Sequence, residues 1–352
     1  MDPKEKEYLP FIEMINTFNY TIKIEKFERI NNNHPNNDNH KFSNYFPKYL
    51  EYVHQIDSLL GKYLIENYDE KKEIEKAKKN PLMKGKNVKV VFIKEFFINN
   101  ISKHEEEIIS FIGDNWKNLK VYTKVHITIF LYFAIQMIKN NFEIFNDYDI
   151  NIMYWTILFH DSGKHLELNP YFKEDYSDFY YLHYVVDKVH PFKGVIIFLE
   201  TMFKKNFIFF NDDKEKGEFK SNLDIFIIYL YKSFKKISKG KYNISFIHLK
   251  EIDTFLDYLH KEEKNAWIYD ITVLILFHQS LPNHDKHMNN PLLPDEYILK
   301  YFDLRLLEMM RIIMVCDSVS HIMINDEEWV EQINKQLNII RQKIIENNKN
   351  NK

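Results

Sequence analysis

The stretch Met153-Tyr154-Trp155-Thr156-Ile157-Leu158-Phe159-His160-Asp161-Ser162-Gly163-Lys164 holds the problem of this chain in miniature. Met153, Ile157 and His160 follow one another at steps of four and three, so His160 continues an apolar helix face and Asp161 follows it directly. An imidazole and a carboxylate then stand where core packing is expected. Burying either without a partner costs several kcal/mol, so each requires one.

The same conflict recurs elsewhere. His126 shares a helix face with Ile129, Phe130, Phe133 and Met137, and His278 ends the stripe Trp267, Ile271, Leu274. Asp317 sits in the row Leu306, Met310, Ile313. With 7 Gly and 10 Pro among 352 residues, and apolar residues spaced by three and four, the chain reads as all-α. A helix is predicted over Tyr45 to Glu66. Breaks are predicted near Asn169-Pro170, Asn211 to Glu218, Ser238 to Lys241 and Leu281 to Pro294. Residues 31–40 read as a polar linker. Lys71 to Lys89, with its lysines grouped around Pro81 and Gly85, reads as a solvated loop, or in a sharper reading one that faces phosphate.

Composition narrows the chemistry. No two of the seven glycines fall close enough to share one phosphate-cradling loop, which excludes the P-loop and the G-x-G-x-x-G dinucleotide fold. A single cysteine, Cys316, excludes disulfide scaffolds and cysteine-based zinc sites and fits a reducing compartment. The net charge of −3 argues against a wholesale polyanion binder. No signal peptide is readable, and apolar stretches such as Ile127 to Ile138 are shorter than the ~20 residues that span a bilayer. The expectation is a cytoplasmic, intracellular protein without a membrane partner.

For one histidine alone, a hydrogen-bonded core residue is the simpler reading. A divalent metal centre accounts for His126, the His160-Asp161 pair, His278 and Asp317 together. Imidazole and carboxylate satisfy Mn, Fe, Co, Ni or Zn, and a cation removes the charge penalty on the two aspartates.

The order His126 … His160-Asp161 … His190 … His278 … Asp317 resembles the HD superfamily of metal-dependent phosphohydrolases. Ile157 to Lys164 is similar to the family's apolar-HD-x-G-K helix end. His190-Pro191-Phe192-Lys193-Gly194 is similar to its next motif, a histidine followed four residues later by a small residue. Met314-Val315-Cys316-Asp317-Ser318 is similar to its last, an apolar turn ending in Asp-Ser or Asp-Ala. Many members carry two adjacent histidines in the fourth motif, where Phe277 precedes His278 here. His183, His284 and His287 are the alternatives for a further ligand. Pro191 predicts a helix start just after His190, which favours His190 over His183 as the ligand.

The resemblance implies an HD-domain-like helical bundle over residues 101–325, with 203–262 as a helical insertion. An N-terminal extension (1–100) precedes it, and a C-terminal helix and polar tail (326–352) follow. The insertion reads as two helices, one starting at Ser221 and one over Ile247 to Lys261. Its aromatic residues (Phe207, Phe209, Phe210, Phe226, Tyr229, Tyr231) read as core in preference to a base-stacking platform.

The resemblance also implies two divalent transition metals (Mn, Fe, Co or Ni) bridged by Asp161. His126, His160 and Asp317 would complete one coordination sphere, and His190 and His278 the other. A metal-activated hydroxide would hydrolyse a phosphoester in a phosphorylated small molecule or nucleic acid, with Lys164 neutralising the phosphoryl group or assisting the leaving oxygen. Gly163 is expected to let the chain turn away from the metals, and Gly194 to let a helix pack closely.

Three alternatives stand beside this reading. His278 to Asp285 is similar to a segment of the HD nuclease modules in CRISPR-associated helicase-nucleases. The same ligands serve HD-fold diiron oxygenases, and a non-enzymatic scaffold can keep a metal for folding. Cyclic-dinucleotide phosphodiesterases of the HD-GYP group carry a Gly-Tyr-Pro segment that this chain lacks.

Overall fold

The structure, a computed structural model, describes residues 24, 26–27, 40–79, 88–141, 143–164, 179–238, 249–260, 265–278, 295–322 and 327–350. Every regular element among them is an α-helix, as the spacing predicts. The N-terminal helices are α1 (Phe42–Tyr45), α2 (Pro47–Asn67), α3 (Glu70–Lys79), α4 (Val88–Ile101), α5 (Glu106–Ile112) and α6 (Asp114–Lys117). Next come α7 (Val121–Lys139), α8 (Asp147–His160), α9 (Phe179–Lys204), α10 (Asp213–Ser238) and α11 (Leu249–His260). The last are α12 (Ala266–Phe277), α13 (Asp295–Tyr301), α14 (Leu304–Ile322) and α15 (Glu327–Asn350).

Five of these helices build the centre. α7 lies between α8 and α14, while α12 packs on both α8 and α9. α7 is apolar nearly all round and is sheathed by neighbours. It is the one described helix long and apolar enough to cross a bilayer, yet 83% of that window is buried inside the fold, as befits a core helix. α8 begins at a reciprocal cap. The Asn146 side chain accepts from the Asp149 N–H at 3.0 Å, and the Asp149 carboxylate accepts from the Asn146 N–H at 3.1 Å. Arg305, at the start of α14, then joins the starts of α8 and α12 by reaching Asp149 (3.2 Å) and Asp270 (2.6 Å). These contacts anchor the start of α8, and the site lies at its other end, at His160 and Asp161.

Outer helices close the core. α1 packs on α8, and α2 and α4 pack on α7, so Phe42, Phe46, Tyr49 and Phe97 join the same apolar cluster as the central helices. α10 and α11 pack on one another through the stacked rings of Phe226 and Phe255, 4.3 Å apart, and rest on α9 and α12 respectively. α15 covers α14.

Several predicted boundaries change. The helix over Tyr45 to Glu66 divides at Phe46, because Pro47 occupies the first turn of α2, where its missing N–H costs nothing. The lysine-rich stretch is not a loop as far as Lys79. Glu70 and Glu73 lie in the first turn of α3, and Lys76, Lys78 and Lys79 in its last, which is the charge order the helix dipole favours. Residues 80–87, with Pro81 and Gly85, lie outside the described residues, and α4 has begun by Val88. The first insertion helix starts at Asp213, well before Ser221, so the break predicted at 211–218 falls largely within α10; the second, α11, lies inside its predicted range. Phe226 is core, but Phe209 is exposed at the surface.

Pro191 sits inside α9 and does not start it. The ring removes one backbone hydrogen bond, and the tertiary contacts of α9 with α8 and α12 hold the helix through that loss. His284, His287, Asn169-Pro170, residues 239–241 and the breaks predicted over 281–294 lie outside the described residues, as do most of residues 1–40. His183 belongs to a part of α9 described by its backbone alone.

Candidate metal centre

Each candidate side chain leaves its helix at a place set by local sequence. His126 lies in the first half of α7 and Asp317 in the second half of α14. His160 is the last residue of α8 and Asp161 its C-cap. His190 is mid-way along α9, and His278 caps α12. All six are buried, and they meet as two groups of three, each with its donor atoms within 4.8 Å of one another. His126, His160 and Asp317 form one group, and Asp161, His190 and His278 the other.

Asp161 joins the two groups. Its Oδ2 lies 3.2 Å from His126 Nε2 and 3.5 Å from His160 Nε2, while its Oδ1 lies 3.3 Å from His190 Nε2. Asp317 Oδ1 approaches the Nε2 atoms of His126 and His160 at 3.0 and 3.6 Å. Lys164, one turn beyond Asp161, places its Nζ 2.6 Å from Oδ2.

The imidazoles are oriented by hydrogen bonds at their outer nitrogens. His160 Nδ1 donates to the Ile157 carbonyl at 2.7 Å, and His278 Nδ1 donates to the Ile275 carbonyl at 2.8 Å. A carbonyl only accepts, so the proton of each neutral ring is on Nδ1. The Ser320 hydroxyl donates to the Asp317 carbonyl at 2.7 Å and therefore accepts from His126 Nδ1 at 3.0 Å. The Nε2 lone pairs of His160 and His278 thus face the centre, as does that of His126 whenever its ring is neutral. His126 and His160 Nε2 are 3.3 Å apart, and His190 and His278 Nε2 3.4 Å. Where both facing nitrogens carry lone pairs, such closeness to one another and to two carboxylates is repulsive unless a proton or a metal cation lies between them. Asp161 Oδ1 is buried without a hydrogen-bond donor, although His190 stands beside it. The four imidazoles and two carboxylates are buried His/Asp groups that could bind metal ions.

Protonation follows the same fields. Burial lowers the pKa of His278 to about 4 and that of His190 well below its ordinary value, so both are neutral near pH 7. Burial would raise the Asp161 carboxyl, but His160 and Lys164, with His126 and His190, hold it well below the usual carboxylate range. At His126, burial opposes the charged form, yet Asp161 and Asp317 outweigh it and raise the pKa. The negative charge that draws a proton to His126 also draws a metal cation.

The two glycines act by close approach. A Cβ on Gly163 would lie 2.4 Å from the Lys193 Cβ and 2.8 Å from the His190 carbonyl oxygen. One on Gly194 would lie 2.7 Å from the Phe159 carbonyl oxygen and 3.0 Å from that of His160. Gly194 therefore lets α9 pack against α8 as expected. Gly163 lies in the turn that follows α8, as expected, but its backbone is not in the left-handed region, so what demands glycine there is the same contact from the other side.

Two residues at the site escaped the sequence reading. Ser320 follows Asp317 by three residues on α14 and is buried. Lys193 is also buried, one turn after His190, and burial pushes its pKa down to about 8. The available signal was their helical spacing from a candidate ligand.

Fold and site together define an all-helical protein with a buried histidine–aspartate cluster suited to metal ions. In comparisons with known proteins, no family model, no curated protein and no solved structure matches the chain.

Proposed function

We propose that this chain is a metal-dependent phosphohydrolase of the HD type, acting on a phosphoester of a small molecule or nucleic acid. The observation that carries the reading is the division of the Asp161 carboxylate, one oxygen to each histidine group. His126, His160, Asp317 and Asp161 Oδ2 would hold one metal, and Asp161 Oδ1, His190 and His278 a second. Two bound transition cations lower the pKa of water and neutralise phosphoryl oxygens, which is what phosphoester hydrolysis demands.

The chain's own groups support that chemistry. Asp161 stays ionised and His190 and His278 stay neutral near pH 7, so these three donors are in their ligating form before any cation arrives. The Ile157 and Ile275 carbonyls and Ser320 hold three rings in the tautomer that points Nε2 inward. Lys164 remains partly solvent-exposed at the edge of the buried cluster, and its ammonium can meet an incoming anionic oxygen.

The test pairs metal analysis with a substrate screen. Purified protein reconstituted separately with Mn, Fe, Co and Ni is expected to bind up to two ions. It is then expected to hydrolyse at least one substrate among generic phosphodiesters, nucleotides and single-stranded nucleic acid. His160→Ala and Asp161→Ala should abolish turnover while circular dichroism shows helical content retained. Full activity of the Asp161 variant, or no bound metal after reconstitution, refutes the proposal. Dioxygen consumption by the iron form without phosphoester cleavage would assign oxygenase chemistry instead. Metal-dependent stabilisation without turnover would leave a scaffold.

A further inference from the structure

Asp161 Oδ2 is claimed twice. Lys164 Nζ lies on it at 2.6 Å, and through the same oxygen Asp161 reaches His126 and His160. The other oxygen, Oδ1, faces His190 with no hydrogen-bond donor upon it. Among the described residues, the two oxygens of Asp161 thus differ in a respect that ligand identity does not reveal: Oδ2 carries a lysine ammonium at hydrogen-bond distance and Oδ1 does not.

Building on the metal-site reading above, we propose that Lys164 competes with the metal for Asp161 Oδ2, so that loading of the His126–His160–Asp317 site drives the ammonium off the carboxylate and frees it for an anionic substrate group. A dication ligated by Oδ2 at about 2.0–2.2 Å would stand close to an ammonium on the same oxygen. Both charges would be largely buried, so water and salt screen their repulsion poorly. The ammonium also withdraws basicity from the oxygen the metal needs. Its tether favours release: among the described partners of Asp161, Lys164 has the most exposed side chain, and its flexible stem can carry the ammonium outward. In return, the ammonium offsets part of the negative charge of Asp161 while Oδ2 is not bound to metal. Lys164 is therefore a positioning residue for metal loading as well as a candidate phosphate contact.

The experiment is calorimetric titration of Mn(II) into chelator-stripped full-length protein, comparing wild type with Lys164→Met, Lys164→Gln and Lys164→Arg. Loss of the charge should tighten one of two binding steps by at least about fivefold and leave the other nearly unchanged. Lys164→Arg, which keeps the charge, should stay near wild type. Thermal melts should show Met and Gln variants gaining more from Mn(II) than wild type does, and two neutral variants guard against one that folds poorly. Unchanged or weaker binding in the neutral variants, an equal shift of both steps, or tightening in Lys164→Arg equal to that in Lys164→Met overturns the competition while the metal site stands. If wild type binds no Mn(II), the competition falls with the metal reading.

Discussion

Ser320 shows how much of the candidate metal site rests on atoms turned away from its centre. Its hydroxyl is held by the Asp317 carbonyl and in turn accepts the Nδ1 proton of His126, so a single side chain orients one ligand and is anchored to the backbone of another. Without it, His126 could take either tautomer, and half of its orientations would turn an N–H toward the carboxylates. Ser320→Ala should lower metal affinity by about 10- to 100-fold, the usual cost of losing such a partner, with little change in thermal stability of chelator-treated protein. Competition with a metal-sensitive dye measures the first quantity and a melt the second. An affinity equal to wild type would mean that packing of α7 alone orients the ring.

Between elements, the close seating of α9 on the end of α8 aligns His190 with Asp161. Gly163 and Gly194 face each other across this contact, and the atoms nearest a Cβ at residue 194 are backbone carbonyl oxygens of Phe159 and His160, which cannot rotate away. Gly194→Ala must therefore push the helices apart. The expected cost is about 1–3 kcal/mol, typical of overpacking, read as a lower denaturation midpoint. Metal affinity should fall with it, because His160 and Asp161 belong to the displaced turn. The prediction fails if stability drops while affinity is untouched. This contact also explains Pro191: a helix clamped at both faces survives the loss of one backbone bond, and no local rule foresees it.

Across the whole molecule, the outer shell is tied to the core by buried charge. Glu308 on α14 accepts from Arg311 at 2.9 Å and from Arg341 of α15 at 2.7 Å, and all three residues are buried. Arg311 reaches on to the side chains of Asn334 and Asn338, and Arg341 to the Lys26 carbonyl, so one carboxylate organises contacts from near both ends of the chain. Glu308→Ala leaves two arginines buried beside one another and should cost about 3–5 kcal/mol in chemical denaturation. A loss under about 1 kcal/mol would place this network among those that contribute nothing measurable.

Helix class was legible because a period of three to four is a property of consecutive residues, and the same period exposed His126, His160, His278 and Asp317 as polar groups on apolar faces. Residue type limited any metal site to imidazole and carboxylate, since the single cysteine could supply no more than one thiolate. Helix ends were less legible, as at Ser221 and Pro191, because packing elsewhere outweighs the local preference. Only tertiary structure decided that the six side chains meet in two groups, that Asp161 gives one oxygen to each, and that Lys164 holds one of those oxygens while Ser320 turns His126 inward. These are distances between residues far apart in the chain or choices between chemically equal atoms. Neither leaves a trace in local pattern: the order of residues records which groups are present and which helix face they share, whereas the sharing of a single carboxylate is settled by how the helices dock.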